Sequence, residues 1–217
     1  MDNSLEIKLE KGQRLNLERA DGSKITDFCV GANWGTLYET PGGFFIKKIE
    51  VDLDLNCIVI DDKNEICDYL NCAAYKTQKG KFKTNDGALH HSGDDTKGDE
   101  DGDDSFDNET ITVNLSKLDS KVSQIFFFLN NLEKNDFSQI PFVEIRIYEG
   151  DPEQVENIFA CYNVSTKEYS GKRALIMGKL YKNGANWEFH AIGDLTDDDN
   201  LLDTIERIKK SYLFTYI

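Results

Sequence analysis

Short runs in which apolar and polar residues alternate recur along most of the chain. Near the start, Leu5, Ile7 and Leu9 alternate with Glu6 and Lys8, the period-two pattern of a strand with one buried face. Turn-forming sequences rich in Gly, Pro, Asn and Asp separate the runs. Further strands are predicted at 24–32, 44–60, 65–75, 110–115, 122–129, 142–148, 157–162, 173–181 and 187–192. Many short strands with few helices between them indicate an all-β sandwich or barrel.

Two helices are predicted, a short one at 135–139 and an amphipathic one at 199–213. The second has apolar residues on one face at helical spacing: Leu201, Leu202, Ile205, Ile208 and Tyr212. Three aspartates crowd its start and three basic residues its end, an order that complements the helix dipole. We expect the segment 196–217 to pack on a β-domain that spans 1–195, with a partner-binding helix as the alternative.

Net charge limits the partners of the chain. The 217 residues include 40 acidic and 25 basic ones, for a formal charge of −15. Such a surface repels phosphate backbones and anionic lipid, so we expect no nucleic acid partner and no membrane insertion. The first 30 residues lack a secretory pattern, no apolar stretch reaches 18 residues, and the five cysteines form no CxxC pair. These features predict a cytoplasmic protein with buried free thiols.

The most acidic segment is the acidic loop, residues 93–109. Its carboxylates give it a charge near −8 against a single lysine, and they are Asp94, Asp95, Asp99, Glu100, Asp101, Asp103, Asp104, Asp107 and Glu109. Crowding these charges costs free energy unless counter-charge arrives or the loop stays extended in water. Glycines at 93, 98 and 102 let the backbone turn so that carboxylates converge. A metal loop and a solvated acidic linker are therefore the two interpretations of this segment.

The oxygen-only ligand set favours a hard cation. Carboxylates in this number select Ca²⁺, or Mg²⁺ with retained waters, over Zn²⁺ or Cu²⁺. The segment is not an EF-hand, because aligning Gly102 with the invariant glycine puts Lys97 at the first ligand position and Asn108 at the last. His90 and His91 precede the loop, and we expect them to have structural or surface roles.

A second group of oxygens lies earlier in the chain. Asp52, Asp54 and Asn56 alternate with apolar residues, so a strand would place all three on one face. Like charges on a strand face are unfavourable unless they are solvated or share a cation. If this face abuts the acidic loop, a rigid strand and a flexible loop would cage the metal together.

These motifs together resemble the TerD family of tellurium-resistance and general stress proteins, which includes cyclic-AMP-binding relatives. The resemblance covers roughly residues 1–195. It is carried by 31–35 (Gly-Ala-Asn-Trp-Gly), 51–54 (Val-Asp-Leu-Asp), 91–94 (His-Ser-Gly-Asp) and 98–104 (Gly-Asp-Glu-Asp-Gly-Asp-Asp). Downstream, the sequences at 111–117, 178–181, 187–189 and 191–193 are similar to the family's later strands. The resemblance implies a two-sheet β-sandwich that binds one or two Ca²⁺ ions through the acidic loop.

The predicted ligands combine the strand and the loop: Asp52, Asp54, Asp94, Asp99, Asp101, Asp103, Asp104 and Glu109. Two departures from the family pattern affect this set. The family's aspartate after the tryptophan is Gly35 here, which removes any ligand from that position. Residues 105–108 look inserted before Glu109, which we expect to alter the last coordination position.

The resemblance and the residues predict a non-catalytic calcium-binding stress-response protein, a sensor or scaffold. No Ser-His-Asp order, phosphate loop or HExxH motif supports an enzyme. One alternative is a receptor for cyclic AMP or another small molecule, for which Arg146 and Arg173 are the candidate phosphate contacts. A second alternative is a metal-dependent hydrolase, in which clustered cations activate water.

Overall fold

Fourteen strands and one α-helix make up the described part of the chain. The computed structural model describes residues 7–8, 10–19, 21–72, 79–131, 133, 135–164 and 169–213. The strands are β1 (Ile7–Lys8), β2 (Arg14–Asn16), β3 (Asp27–Trp34), β4 (Leu37–Glu39), β5 (Lys47–Ile49), β6 (Leu53–Asp61), β7 (Ile66–Leu70), β8 (Leu89–His91), β9 (Glu109–Asn114), β10 (Val122–Asn131), β11 (Val143–Asp151), β12 (Gln154–Asn163), β13 (Ala174–Asn183) and β14 (Asn186–Thr196). Short 3₁₀ turns occupy Pro41–Gly43 and Leu115–Lys117, and helix α1 spans Leu201–Ser211.

The strands form two six-stranded sheets and one hairpin. The first sheet has the order β1-β12-β11-β3-β9-β8 and the second has the order β2-β14-β13-β10-β6-β7. Strand β1 runs parallel to β12, whereas the remaining described pairs are antiparallel. The main apolar cluster draws residues from both sheets, so the core lies between them. The predicted two-sheet β-sandwich is confirmed.

Strand β10 shows why some strands are apolar without alternation. Phe127 and Leu129 belong to the core between the sheets, while Phe126 and Phe128 belong to a second cluster on the other face. Ile208 of helix α1 completes that second cluster and is fully buried. Both faces of β10 are therefore covered. A strand that is buried on both faces is apolar throughout and lacks the alternation of polar and apolar residues.

Helix α1 confirms the predicted C-terminal amphipathic helix with slightly shorter bounds. The Asn200 side chain accepts a hydrogen bond from the Asp203 amide at 3.1 Å, which caps the first turn. Lys209 and Lys210 lie in the last turn, as the charge order predicted. The helix has 11 residues, and none of the helices among the described residues is both long and apolar enough to cross a membrane.

The short helix predicted at 135–139 is wrong, because this segment is a turn. The Asp136 carboxylate accepts from the Ser138 amide at 3.0 Å, and the Asp136 carbonyl accepts from the Gln139 amide at 3.1 Å. A side chain that bonds its own backbone two residues on competes with helix formation. Pro141 follows closely and disfavours the helical region at the residue before it.

Two of the predicted strands also need comment. Most of the strand predicted from Leu5 to Leu9 lies outside the described residues, and the described part is β1. The single strand predicted at 44–60 is two strands, β5 and β6, and β5 pairs with β4 as a hairpin. The hairpin's tip exposes Phe44, Phe45 and Ile46, which are 86%, 79% and 76% exposed.

Candidate metal site

Strand β6 brings two carboxylates to one end of the second sheet. Leu53 and Leu55 point into the core, so Asp54 and Asn56 share the opposite face, as the alternation predicted. Asp52 directly precedes the strand and lies near enough to Asp54 for its charge to act on it. Asp54 is only 6% exposed. The strand therefore fixes a buried carboxylate at the point where the acidic loop meets the sandwich.

Glu109 and His91 bind the open backbone edge of β6. The pairing of β7 with β6 starts at Cys57 and Leu70, which leaves the Leu55 peptide beyond that ladder. Glu109 Oε2 accepts a hydrogen bond from the Leu55 amide at 2.7 Å, and His91 Nε2 lies 2.9 Å from the Leu55 carbonyl oxygen. Both side chains are fully buried. The first sheet thus supplies a carboxylate and an imidazole to the edge of the second sheet.

Two carboxylates at this end of the sandwich have raised pKa values. Burial, followed by the charges of Asp52, Glu109 and Asp94, raises the pKa of Asp54 to about 8. Burial, followed by Asp94 and Glu109, raises the pKa of Asp52 to about 6. Asp52, Asp54, Asp94 and Glu109 therefore form one electrostatic group, the inner cluster. Among the described residues, His91 lies within ion-pair distance of Glu109, and no Lys or Arg pairs with any of these four carboxylates.

A buried oxygen without a partner marks the same place. Asp52 Oδ1 is buried and has no hydrogen-bond partner among the residues that the structure describes. A buried oxygen without a hydrogen bond costs free energy. That cost is smaller when the oxygen accepts a hydrogen bond from water or binds a cation. The inner cluster therefore fits a hard divalent cation in the chemistry of its donors and in the position of this oxygen.

A second group, the outer cluster, is formed by Asp99, Asp103 and Asp104. One carboxylate oxygen from each lies within 4.8 Å of the others. Asn33, fully buried on β3, donates from Nδ2 to Asp103 Oδ1 at 2.8 Å, and its own Oδ1 has no partner among the described residues. Asn108 Nδ2 donates to Asp99 Oδ1 at 3.0 Å. The side-chain amides of Asn33 and Asn108 thus hold two of the carboxylates, and Asn33 Oδ1 remains as a further oxygen beside them.

Seven of the eight predicted ligands divide between these clusters. Asp52, Asp54, Asp94 and Glu109 lie in the inner cluster, and Asp99, Asp103 and Asp104 lie in the outer one. Asp101 is exposed and belongs to neither group. The sequence interpretation missed Cys72, whose Sγ lies within 4.8 Å of oxygens of Asp54 and Asp94. It gave His90 and His91 structural or surface roles, and His91 is buried in contact with Leu55 and Glu109.

The residues that looked inserted anchor the loop. Asp107 lies against Gly31 of β3, where an added Cβ would come within 1.9 Å of Asp107 Oδ2. Arg146 of β11 pairs with Asp107 at 2.8 Å, and both side chains are almost fully buried. Asn108 Oδ1 accepts from the Trp34 amide at 2.7 Å. The segment 105–108 therefore ties the end of the acidic loop to the outer face of the first sheet.

Gly35 is fixed by packing. A Cβ at this position would lie 2.7 Å from ring carbons of both Pro141 and Phe142, so an aspartate would not fit without a shift. The adjacent Thr36 amide donates to the Asp99 carbonyl at 2.8 Å, and Thr36 Oγ1 donates to the Lys97 carbonyl at 2.8 Å. The backbone beside Gly35 thus holds the acidic loop in place of a side chain.

Comparisons with known proteins agree with this architecture. Residues 5–207 match the model of the TerD domain. The chain is 30% identical to the stress response protein SCP2 of Bacillus subtilis (strain 168), across 93% of this chain and 98% of that one. It is 27% identical to the tellurium resistance protein TerZ of Serratia marcescens, across 86% of this chain and 89% of the relative.

Solved structures share the fold. A crystal structure of a homologue of the telluride resistance protein TerD from Streptomyces coelicolor A3(2) superposes with a TM-score of 0.59 at 14% identity, covering 82% of this chain and 94% of that one. Taken with the domain match over nearly the whole chain, the comparisons lead to one conclusion. The chain belongs to the TerD domain family, whose members include stress-response and tellurium-resistance proteins.

Proposed function

We propose that this protein is a non-catalytic calcium-binding member of a cytoplasmic stress response, acting as a sensor or scaffold. The observation that supports this most directly is Asp54, a carboxylate 6% exposed whose neighbours are other carboxylates. A bound divalent cation would supply the counter-charge that the described protein groups do not. Two relatives are named as a stress response protein and a tellurium resistance protein, which supports a role in a stress response. These names do not bear on calcium binding.

The donor sets support Ca²⁺ at two positions. Asp52, Asp54, Asp94 and Glu109 would hold one ion, and Asp99, Asp103 and Asp104, with Asn33 Oδ1, would hold a second. Oxygen ligands from flexible loops suit Ca²⁺, which takes six to eight of them in variable geometry, better than Mg²⁺, which needs a near-ideal octahedron. This supports a stoichiometry of one or two ions.

The hydrogen bonds of His91 favour binding over hydrolysis. Its Nε2 faces the Leu55 carbonyl at 2.9 Å, and its Nδ1 accepts from the Gly93 amide at 3.0 Å. A carbonyl oxygen only accepts, so the ring is a neutral tautomer with its proton on Nε2. An imidazole with both nitrogens occupied cannot take a proton from a substrate or a metal-bound water without breaking one of these bonds.

The cyclic-nucleotide alternative has less support, because both arginines proposed as phosphate contacts are engaged elsewhere. Arg146 is buried in its pair with Asp107, and Arg173 donates to Asp199 at 2.7 Å. Freeing Arg146 for a phosphate would leave the Asp107 carboxylate buried and uncompensated.

Calorimetric titration of the metal-free protein with Ca²⁺ tests the proposal. We expect saturable binding of one or two ions, reduced at least tenfold in affinity, about 1.4 kcal/mol, by Asp54→Asn. Asp62→Asn is the matched control, since it removes the same charge from an exposed turn residue. Absence of Ca²⁺ binding, or equal affinities for the two variants, would overturn the proposal. A second titration with cyclic AMP tests the alternative.

A further inference from the structure

We propose that Cys72, together with Asp54, Asp94 and Glu109, forms a site for a thiophilic divalent cation of the Zn²⁺ or Cd²⁺ class. This inference goes beyond the ion of the proposed function but rests on the same inner cluster. Cys72 would add a soft sulfur ligand to a site for which the sequence predicts oxygen ligands only. The sulfur would change which cations the site prefers.

The position of the thiol is the first argument. Cys72 follows β7 by two residues and is 1% exposed. Its Sγ lies 3.4 Å from Glu109 Oε1, and Sγ, one oxygen of Asp54 and one oxygen of Asp94 all lie within 4.8 Å of one another. Zinc binds sulfur at about 2.3 Å and carboxylate oxygen at about 2.0–2.2 Å, so tetrahedral ligands of these types lie roughly 3.5 Å apart. The sulfur and the Glu109 oxygen already stand at that separation.

The second argument is a buried carboxylate for which the described residues supply no partner. Asp54 is 6% exposed, and the hydrogen bonds and ion pairs among the described residues include none to its carboxylate. Its oxygen faces the Cys72 sulfur and Asp94. A buried acid of this kind needs a proton or a cation, and a cation between Asp54 and Cys72 would serve both groups.

His91 positions the site and does not bind the ion. Its Nε2 lies 3.6 Å from Cys72 Sγ and 3.5 Å from Glu109 Oε2, which would suit a ligand. However, both ring nitrogens are held by the backbone of Leu55 and Gly93. The ring therefore holds the Leu55 peptide, whose amide in turn donates to Glu109 Oε2 at 2.7 Å. The proposed ligands are one sulfur and three carboxylates.

Binding is balanced by loss of one proton. In the metal-free protein Cys72 Sγ–H donates to Glu109 Oε1. When the cation binds, the S–H bond breaks, a metal–thiolate bond forms, and the proton leaves to solvent. Soft thiolate selects Zn²⁺ and Cd²⁺ over Ca²⁺, whereas carboxylates alone show no such preference. We therefore expect Zn²⁺ to displace Ca²⁺ from the inner cluster.

The test measures Zn²⁺, Cd²⁺ and Ca²⁺ separately on the metal-free protein. Cys72→Ser should lower Zn²⁺ affinity at least tenfold and change Ca²⁺ affinity less than about twofold. Cys67→Ser is the matched control, because its half-buried thiol bonds the Val59 carbonyl at 3.5 Å and lies outside the cluster. It should change neither affinity.

A spectroscopic measurement on the unaltered protein keeps the test independent of how the variant folds. Cd²⁺ should produce an ultraviolet thiolate-to-metal charge-transfer band that Zn²⁺ quenches and that Cys67→Ser retains. Absence of the band in the unaltered protein, or Zn²⁺ affinity equal in Cys72→Ser, would overturn the inference. If Zn²⁺ binds through Cys72 and Ca²⁺ does not bind at all, the proposed calcium function fails while this inference stands.

Discussion

Asp54 shows how a single residue links the strand pattern to the candidate site. Period-two alternation turns it away from the core, yet Glu109 and the acidic loop cover it to 6% exposure. A carboxylate buried among carboxylates strongly favours its protonated form when no cation is present. Ionising Asp54 in the metal-free protein therefore costs free energy that the unfolded chain does not lose.

That cost predicts how the stability of the metal-free protein depends on pH. The pKa of Asp54 is about 8 in the folded chain and about 3.9 when unfolded. Between these values the folded state binds more protons than the unfolded one, so the free energy of unfolding falls as pH rises. We expect a loss of more than about 1 kcal/mol between pH 5 and pH 8 in EDTA, measured by urea unfolding.

Asp54→Asn supplies the comparison for this experiment. The amide keeps the shape and cannot ionise, so the variant should lose less stability over the same pH range and be the more stable protein at pH 8 in EDTA. The same pH slope in both proteins would show that Asp54 is not the group responsible.

At the scale of elements, the acidic loop is held by contacts that its composition does not reveal. Asp107 and Arg146 form a buried pair against Gly31, and Asn108 bonds the Trp34 amide. Removing one partner of a buried pair leaves the other charge uncompensated. This pair makes the end of the loop part of the first sheet.

Asp107→Ala should therefore destabilise the protein by about 3–5 kcal/mol, as measured by urea unfolding. The double variant Asp107→Leu/Arg146→Met removes both charges and should recover most of that loss. Glu100→Ala, an exposed loop carboxylate paired with Lys48, should change stability by less than about 1 kcal/mol. A double variant no more stable than Asp107→Ala would refute the anchoring role.

Helix α1 is held to the second sheet by one buried face. Ile208 is fully buried in the second apolar cluster, whereas Leu202 is 67% exposed. Ile208→Ala should lower the free energy of unfolding by about 2–5 kcal/mol because it opens a cavity under the helix. Leu202→Ala should stay within about 0.5 kcal/mol of the parent protein. Equal effects would mean that the helix does not pack on the sheet.

At the scale of the whole molecule, the sequence predicts local structure better than long-range contacts. Alternation in 51–57 correctly predicted that Asp54 and Asn56 share the face of β6 that points away from the core, because strand geometry is local. It could not place Cys72 beside Glu109, since that contact depends on the register of β6 with β7 and on the packing of two sheets. The family motif at 91–94 includes His91, but the contact of His91 with the Leu55 carbonyl is evident only in the folded structure.

The two errors have different origins. The segment predicted as a helix at 135–139 forms a turn, because the Asp136 side chain accepts a hydrogen bond from a nearby backbone amide. The sequence pattern alone did not distinguish this turn from a helix. The inserted residues of the acidic loop looked like a disruption, because their partner Arg146 lies 39 positions further along the chain. Loop anchors of this kind become visible only when the strands are assembled.

The account depends most on whether a divalent cation stabilises this fold, and thermal melts in EDTA, Ca²⁺ and Mg²⁺ test that directly. At a hundredfold excess over Kd, one Ca²⁺ site should add about 2.7 kcal/mol. For a domain of this size that raises Tm by roughly 5–11 °C. Mg²⁺ at the same concentration should raise it less, because it holds its waters. Identical melting temperatures in EDTA and millimolar Ca²⁺ would contradict the account and leave the acidic loop a solvated linker.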